Sequence, residues 1–509
     1  MSDTPERSER RAHEGSEEGP AIGAAGAAGA AGAASEGGSP MRARPPFPIV
    51  GIGASAGGLE ALEALTHRLV SCPMAFVVVQ HLAPGHSSLL TAILQRGATL
   101  PVVTIEDGMH VSPATIYVAP PLGQLSLEGG QLRLSVPSEP RGARHGIDGF
   151  FRSLASAGGP MAIGVVLSGS GGDGTLGLKA IKDEGGITFV QDPSTATQSG
   201  MPQSAIDAGC ADSTLSPEQI GDELMRLAAH PYIGTPRQPK LMDAGGTAKI
   251  LAKLKTARGV DFSQYKPGTI ERRIARRMAL HKLDQVEGYV AYLESSPAEL
   301  QSLYDDLLIG VTSFFRDSGP FDALKSVVFP KLVEDRARDS SIRIWVAGCS
   351  SGEEAYSIAI VLLEFLGERG DAFPIQIFAT DVDENALARA RLGIYPLAIE
   401  GDVSAERLQR FFARVDKGYQ VARHLREAVV FARHNLGKDP PFSRLDVVTC
   451  RNVLIYMQPP LQKRVLRIFH YALNPGAYLL LGTSESVADA AHLFALLDRK
   501  RKVYAKKNV

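Results

Sequence analysis

Three short segments of the chain set reactive side chains among glycines. Residues 49 to 62, IVGIGASAGGLEAL, fit two motifs at once. Gly51, Gly53 and Ala56 satisfy G-x-G-x-x-G/A, the strand-to-helix turn that cradles a dinucleotide. Gly53, Ser55 and Gly57 satisfy G-x-S-x-G, the turn that presents a nucleophilic serine. A dinucleotide site needs a carboxylate at the end of the second strand to bind a ribose hydroxyl. Here that strand, in FVVVQHL, ends on His81 with no carboxylate beside it. A histidine suits a different task, taking the proton of a serine hydroxyl near neutral pH. Adjacent parallel strands end on one sheet edge, so Ser55 and His81 can meet there. A carboxylate must then orient the histidine. Asp107, Asp148, Asp173 and Asp192 are available, and Asp173 is best placed. It lies in LSGSGGDGTLG, directly after an apolar strand, where glycine N–H groups can face an oxyanion. Each feature alone has an ordinary structural reading; three such residues at three strand ends are much harder to read that way. The chain order Ser, His, Asp also differs from the Ser, Asp, His of α/β-hydrolases.

The second half carries another strand, glycine turn and helix, IRIWVAGCSSGEEAYSIAI. Gly348 and Gly352 allow close approach of a ligand, but no lysine follows, so neither a P-loop nor a dinucleotide fingerprint fits. The next strand, IQIFATD, ends in Asp381, placed to take both hydroxyls of a ribose. The competing reading of Asp381 is a helix N-cap for VDENALARA. A ribose clamp beside a phosphate-free turn suits adenosine on an uncharged link, such as S-adenosylmethionine.

These residues need two sheets to hold them. A chain of 509 residues exceeds one core. Its 44% hydrophobic and 21% charged residues are those of a soluble globular protein, and a net charge of −1 gives no general pull toward nucleic acid or membrane. No apolar run approaches the ~20 residues that span a bilayer, and no signal peptide is evident, so a cytoplasmic location is expected. Cys72, Cys210, Cys349 and Cys450 are scattered without a C-x-x-C, so neither a metal site nor a disulfide framework is expected. Residues 1 to 46, with GAAGAAGAAGAA, read as a disordered low-complexity tail. Residues 47 to 230 alternate apolar strands with helices, and LSLEGGQLRLS reads as a hairpin. Residues 231 to 246 read as a linker, 247 to 335 as helical, and 336 to 509 as a second α/β domain. The expected fold class is α/β: two doubly wound, mostly parallel sheets joined by a linker and an all-helical subdomain.

GIGASAGGLEAL, VVVQHLAPGH, RHGIDGFFRSLA and LSGSGGDGTLGLKAIKDEGG resemble the catalytic domain of the chemotaxis methylesterase CheB. The resemblance implies a triad of Ser55, His81 and Asp173 that hydrolyses glutamyl methyl esters on chemoreceptors and deamidates receptor glutamines. That family usually carries a receiver domain in front, of ~120 residues, the size of one small domain. Only 46 low-complexity residues precede Phe47, so aspartyl-phosphate control in cis is not expected. LLIGVTSFFRD, VAGCSSGEEAYSIAI, FATDVDENALARARLGIYP, FARHNL and VVTCRNVLIYM resemble the receptor methyltransferase CheR. This resemblance implies a cofactor site for S-adenosylmethionine lined by Thr312, Arg316, Glu354, Asp381, Asn435, Leu436, Arg451 and Asn452. It also places Tyr456 near the methyl acceptor. Gly310 departs from the family, which often has asparagine there. Arg316 is suited to orient an acceptor carboxylate.

In KPGTIERRIARRMALHKL, Arg272, Arg273, Arg276 and Arg277 fall at helical spacing with Ile270, Ile274 and Met278 near the opposite face. Two readings stand: a solvated helix face, or a docking surface for an acidic receptor helix bundle. Nucleic acid does not fit, since no aromatic residues interleave. The expected partners are methyl-accepting chemoreceptors or similar receptor helix bundles, with histidine kinase or PAS signalling proteins as further partners. The expected function is a writer and an eraser of glutamyl methyl esters in one chain. The rival is a non-catalytic or single-activity scaffold built from the same two folds.

Overall fold

The computed structural model describes residues 45–509 apart from 81–86, 122, 136–145, 231, 233–243, 335, 338–339, 368–372 and 417. His81, all but the last two residues of the expected tail and most of the expected linker lie outside the described residues.

The first sheet has seven strands, all parallel. Their order is Ser213–Leu215, Ile187–Gln191, Ala162–Val166, Ile49–Ala54, Ala75–Gln80, Ile116–Val118 and Val102–Thr104. The central strands are buried along their whole length, which is why they read as unbroken apolar runs. The hairpin forms as Gln124–Glu128 and Gln131–Ser135 around Gly129 and Gly130, both at positive φ. With Met109–His110 it makes a separate three-stranded sheet. Going one way from Ile49–Ala54 the neighbouring strand is next in sequence; going the other way it comes more than a hundred residues later. This reversal is where open α/β sheets bind ligands, outside the carboxyl ends of the strands.

The second sheet also has seven strands, in the order Val429–Arg433, Ile375–Asp381, Ile342–Ala347, Leu445–Cys450, Leu473–Leu481, Val503–Lys506 and Phe494–Asp498. The first five run parallel, and Val503–Lys506 enters antiparallel to both its neighbours. Its reversal lies between Ile342–Ala347 and Leu445–Cys450. A small antiparallel sheet of Ile394–Tyr395, Gly418–Val421 and Phe412–Val415 follows the Glu384–Leu392 helix, and the sequence patterns did not announce it. Between the two large sheets lie the helices Ala244–Arg258, Pro267–Leu280, Val286–Ser295 and Pro297–Leu307. They pack around Phe262, Ile274, Tyr289 and Leu303, all buried.

The arginines of Pro267–Leu280 fit neither expected reading. Arg273 and Arg276 are buried, Arg277 is half-buried, and only Arg272 is exposed. Arg276 bonds Asp212 of the first sheet's domain, Asp306 of the helical region, and the Gly186 carbonyl at 2.8 Å. Arg273 donates to the carbonyls of Lys182 (2.8 Å) and Asp183, and Arg277 pairs with Glu299. This face is an intramolecular seam between the two halves. Helical periodicity cannot separate such a seam from a partner surface.

Candidate active sites

Ser55 follows the strand Ile49–Ala54, and its N–H donates to the Ser168 carbonyl at 3.0 Å. In the sheet register Ala54 pairs with Gln80, the residue before His81, and Gly53 pairs with Val166. Three strands therefore end level beside Ser55. The glycines that made a dinucleotide fingerprint have another cause. A Cβ on Gly51 would meet Phe151 at 2.8 Å, and one on Gly53 would meet Ile147 at 2.5 Å. They let the Gly146–Gly158 helix lie close on the strand. Gly57, at φ 71°, makes the turn into the Gly58–Thr66 helix.

Asp173 is buried at 7% exposure. Its carboxylate accepts N–H bonds from Ile147 (3.1 Å), Asp148 (3.0 Å) and Gly174 (3.0 Å). These fix its orientation at the same edge as Ser55. His81 lies outside the described residues. Asp148, another of the four candidate carboxylates, lies beside Asp173. It accepts the Gly177 N–H at 2.6 Å, while its other oxygen is buried with no partner among the described residues. Burial, with the Asp173 charge next, pushes its carboxyl up from 3.8 to about 7; the Gly177 N–H and Arg152 act the other way.

A raised acid pKa means that the folded protein binds a proton the unfolded chain releases. This contribution to stability is therefore full below the ordinary carboxyl range and is lost as pH rises toward 7. Asp148→Asn keeps an acceptor for Gly177 and carries no charge. We expect it to be more stable than the wild type at pH 8, by up to about 4 kcal/mol at 1.36 kcal/mol per pKa unit. The gap should shrink toward pH 5. Thermal unfolding at both pH values measures it, and a variant no more stable than the wild type at pH 8 shows that the folded protein holds the Asp148 carboxyl near its ordinary value.

At the second sheet's reversal lies a cavity of ≈ 400 Å³. Thr312, Arg316, Glu354, Asp381, Asn435, Leu436, Arg451, Asn452 and Tyr456 all line it. Asp381 ends its strand and accepts the N–H groups of Ser350 (2.8 Å) and Asp383 (3.0 Å). It is not the helix cap: Asp383 is, accepting the Ala386 N–H at 3.0 Å. Each Asp381 oxygen keeps a lone pair for a further donor. Burial raises its carboxyl, against the opposing bonds from Asp383 and Ser350. Glu354 is held by Thr449 (2.9 Å) and Arg451 (3.3 Å), so it buttresses Arg451 as well as lining the cavity. Arg316 donates to the Val311 carbonyl at 2.6 Å. Burial pushes the Tyr456 hydroxyl up to about 12, keeping it a neutral donor.

Two lining residues sit in the left-handed region, Ser350 at φ 47° and Asn452 at φ 59°. Such strain persists only where neighbours over-determine it. At Asn452 the cause is Glu485, 4% exposed. Its carboxylate accepts the N–H groups of Asn452 (3.0 Å), Val453 (2.9 Å), Leu454 (2.7 Å), Ile455 (3.3 Å) and Gly482 (2.7 Å). Motif reading missed Glu485, and it missed the helical region's share of the lining, Lys255, Asp261, Gln264 and Tyr265. That region is stitched over the cavity by Lys266 N–H to the Tyr456 carbonyl (2.8 Å) and Gln458 N–H to the Gln264 carbonyl (2.9 Å).

The cavity fits an adenosine group on an uncharged link. Asp381 offers paired acceptors, and apolar walls from Val382, Leu436 and Met457 suit a flat base. No lysine follows the Gly348 turn to meet a phosphate. The buried atoms His434 Nδ1 and Arg451 Nε, both on lining residues, have no partner among the described residues. Asp381→Ala should weaken binding of S-adenosylhomocysteine by about 1.5–3 kcal/mol, the range for hydrogen bonds to a charged group. Calorimetry reads this; unchanged affinity in a folded variant removes Asp381 as the ribose ligand.

Comparison with known proteins places both halves. Residues 50–224 match the CheB methylesterase family. Residues 247–308 match the all-alpha domain of CheR methyltransferase, and 310–503 its SAM-binding domain. The cofactor of the second half is S-adenosylmethionine. A chemotaxis protein methyltransferase of Borreliella burgdorferi is 34% identical over 236 residues, 45% of this chain and 83% of its own. Chemotaxis protein methyltransferase 2 of Vibrio cholerae is 33% identical over 242 residues, 46% of this chain and 83% of its own. An uncharacterized 104.1 kDa protein of Rhodobacter capsulatus is 38% identical over 438 residues, 82% of this chain; the chain spans 46% of that relative's length. Among solved structures, the CheB methylesterase catalytic domain of Thermotoga maritima is 33% identical, with a TM-score of 0.34 over 36% of this chain and 98% of its own. Among the described residues no helix is long and apolar enough to cross a membrane, and no side-chain cluster could hold a metal. The chain belongs to the CheB methylesterase and CheR methyltransferase families, joined in one polypeptide.

Proposed function

We propose that this chain adds methyl esters to glutamate side chains of chemoreceptors, or of similar receptor helix bundles, and removes them again. The observation that carries the reading is the pair of reversal-point sites. One edge bears Ser55 and an oriented Asp173. The other holds a cavity with Asp381 beside a phosphate-free glycine turn.

In the hydrolytic half, Ser55 Oγ attacks the ester carbonyl and its proton passes to His81. Methanol leaves with that proton, and water then attacks the acyl-enzyme, freeing the glutamate carboxylate and restoring Ser55. Asp173 holds the imidazole tautomer, and glycine N–H groups face the developing oxyanion. A glutamine amide fits the same cycle with ammonia leaving, so deamidation belongs to this site as well.

In the other half, S-adenosylmethionine supplies a methyl group already made electrophilic by its sulfonium. The residues then have to align rather than activate. Asp381 holds the ribose hydroxyls, Glu354 and Arg451 fix the wall, and Arg316 orients the incoming glutamate carboxylate for in-line attack.

The test is a pulse and chase. Chemoreceptor-containing membranes incubated with methyl-tritiated S-adenosylmethionine should acquire alkali-labile label. A chase with unlabelled cofactor should release it as volatile methanol. No label, or label stable to alkali, overturns the reading.

A further inference from the structure

Arg316 sits in a backbone that few residues adopt. Its two neighbours, Phe315 at φ 51° and Asp317 at φ 56°, are both left-handed, and neither is glycine. For a bulky residue such as Phe315 this is an outlier, and it persists only where the surroundings over-determine it. The side chains of the segment diverge at these twists. Phe314 is buried against Tyr395 and Phe412 of the small antiparallel sheet, with ring centres 4.8 and 5.4 Å away. Arg316 instead lines the cofactor cavity, with its guanidinium on the Val311 carbonyl.

Three contacts hold the twisted segment. The Phe315 N–H donates to the Ser357 hydroxyl at 3.0 Å. The Arg316 carbonyl accepts from Arg451 at 2.7 Å. The third contact is on the Phe315 ring, where the Arg407 guanidinium lies 4.0 Å from the ring centre. A cation over an aromatic face is attracted to it. Arg407 comes from the helix Ala405–Phe411 and is itself fixed by Glu364, which accepts from Nε at 2.7 Å and from Nη2 at 2.9 Å. Such a two-pronged pair sets the plane of a guanidinium as well as its place. Ser357 and Glu364 belong to one helix, Glu353–Leu366, and stand two turns apart on one face. That face holds Phe315 by its backbone directly and by its ring through Arg407.

We propose that Arg407 is a positioning residue for methyl transfer: by clamping the Phe315 ring it keeps the left-handed turn that aims Arg316 at the acceptor carboxylate. The inference rests on the methyl-transfer reading given above. Arg407 lies outside the lining of the cofactor cavity, so it acts through the segment and not on a reactant.

The test uses the full chain with a cytoplasmic chemoreceptor fragment as acceptor. Arg407→Ala should lower kcat about tenfold or more, while calorimetric affinity for S-adenosylhomocysteine stays within about threefold of wild type and reports an intact fold. Arg407→Lys keeps a cation beside Glu364 without the flat two-pronged pair, so it should restore part of the rate; it carries the same comparison if the alanine variant does not fold. Phe315→Leu removes the ring. Since Arg407 acts through that ring, adding Arg407→Ala to Phe315→Leu should lower kcat no further than Phe315→Leu alone. Wild-type kcat in Arg407→Ala overturns the proposal, and so do losses that multiply in the double variant. Cofactor affinity that falls in step with the rate overturns it too, because Arg407 then shapes the cofactor site and not the aim of Arg316. A wild type that transfers no methyl to the fragment counts against the methyl-transfer reading, and the inference falls with it.

Discussion

Ser55→Ala is expected to stop ester hydrolysis and leave methyl transfer at the wild-type rate. Losing a member of a hydrolytic triad costs roughly 10⁴ to 10⁶ in turnover. The fold should not respond. Alanine keeps the Cβ that sits against Gly169, and the backbone bond from residue 55 to the Ser168 carbonyl does not involve the hydroxyl. The two proposed sites sit on separate sheets, so a change at Ser55 leaves the cofactor cavity untouched. In the pulse-and-chase assay the variant should take up label at the normal rate and release no methanol. Release above about a tenth of wild type removes Ser55 as the nucleophile, since background chemistry in triad variants falls orders of magnitude lower.

Why Ser55 was legible in the sequence and Glu485 was not is a matter of where the physics is written. Strands buried on both faces must be apolar throughout, so IVGIGA and AFVVVQ declare themselves. Glycine-rich turns at their ends mark the sites, because only glycine accepts φ 71° at Gly57 or φ 77° at Gly348 at little cost. The place of Asp381 was legible for the same reason, at the end of an apolar strand beside a glycine turn, but that Asp383 rather than Asp381 caps the next helix was not. Glu485 acts through five backbone N–H groups, four of them about thirty residues away in sequence, and no local pattern records that. The glycines Gly51 and Gly53 show the opposite failure. They spell a ligand motif, yet what they meet is Phe151 and Ile147. Asp148 was noticed as one carboxylate among four, but its burial beside Asp173 exists only in the folded chain.

The arginine seam carries the other large effect. Arg276 is fully buried, with Asp212 on one side and Asp306 on the other. Burial alone works to raise the Asp212 carboxyl, but Arg276 and Lys182 outweigh it and hold the group down to about 2. Both acids share this guanidinium, with looser second cations in Lys182, 3.3 Å from Asp212, and Arg277, 3.8 Å from Asp306. Arg276→Ala leaves two buried carboxylates with only these looser cations and also orphans the Gly186 carbonyl. Breaking a buried pair by removing one partner costs about 3–5 kcal/mol, because the uncompensated charge remains. The loss falls on the contact between halves, since Asp212 comes from the methylesterase domain and Arg276 from the helical region. Calorimetry should then resolve two unfolding transitions where the wild type shows one, with the methylesterase domain melting apart from the rest. Replacing the whole cluster, Arg276→Met with Asp212→Leu and Asp306→Leu, should recover much of the loss, as well-packed apolar groups often match a buried ion cluster. If Arg276→Ala unfolds in a single transition within about 1 kcal/mol of wild type, a cost ordinary for any substitution, the two halves are held together elsewhere along their contact.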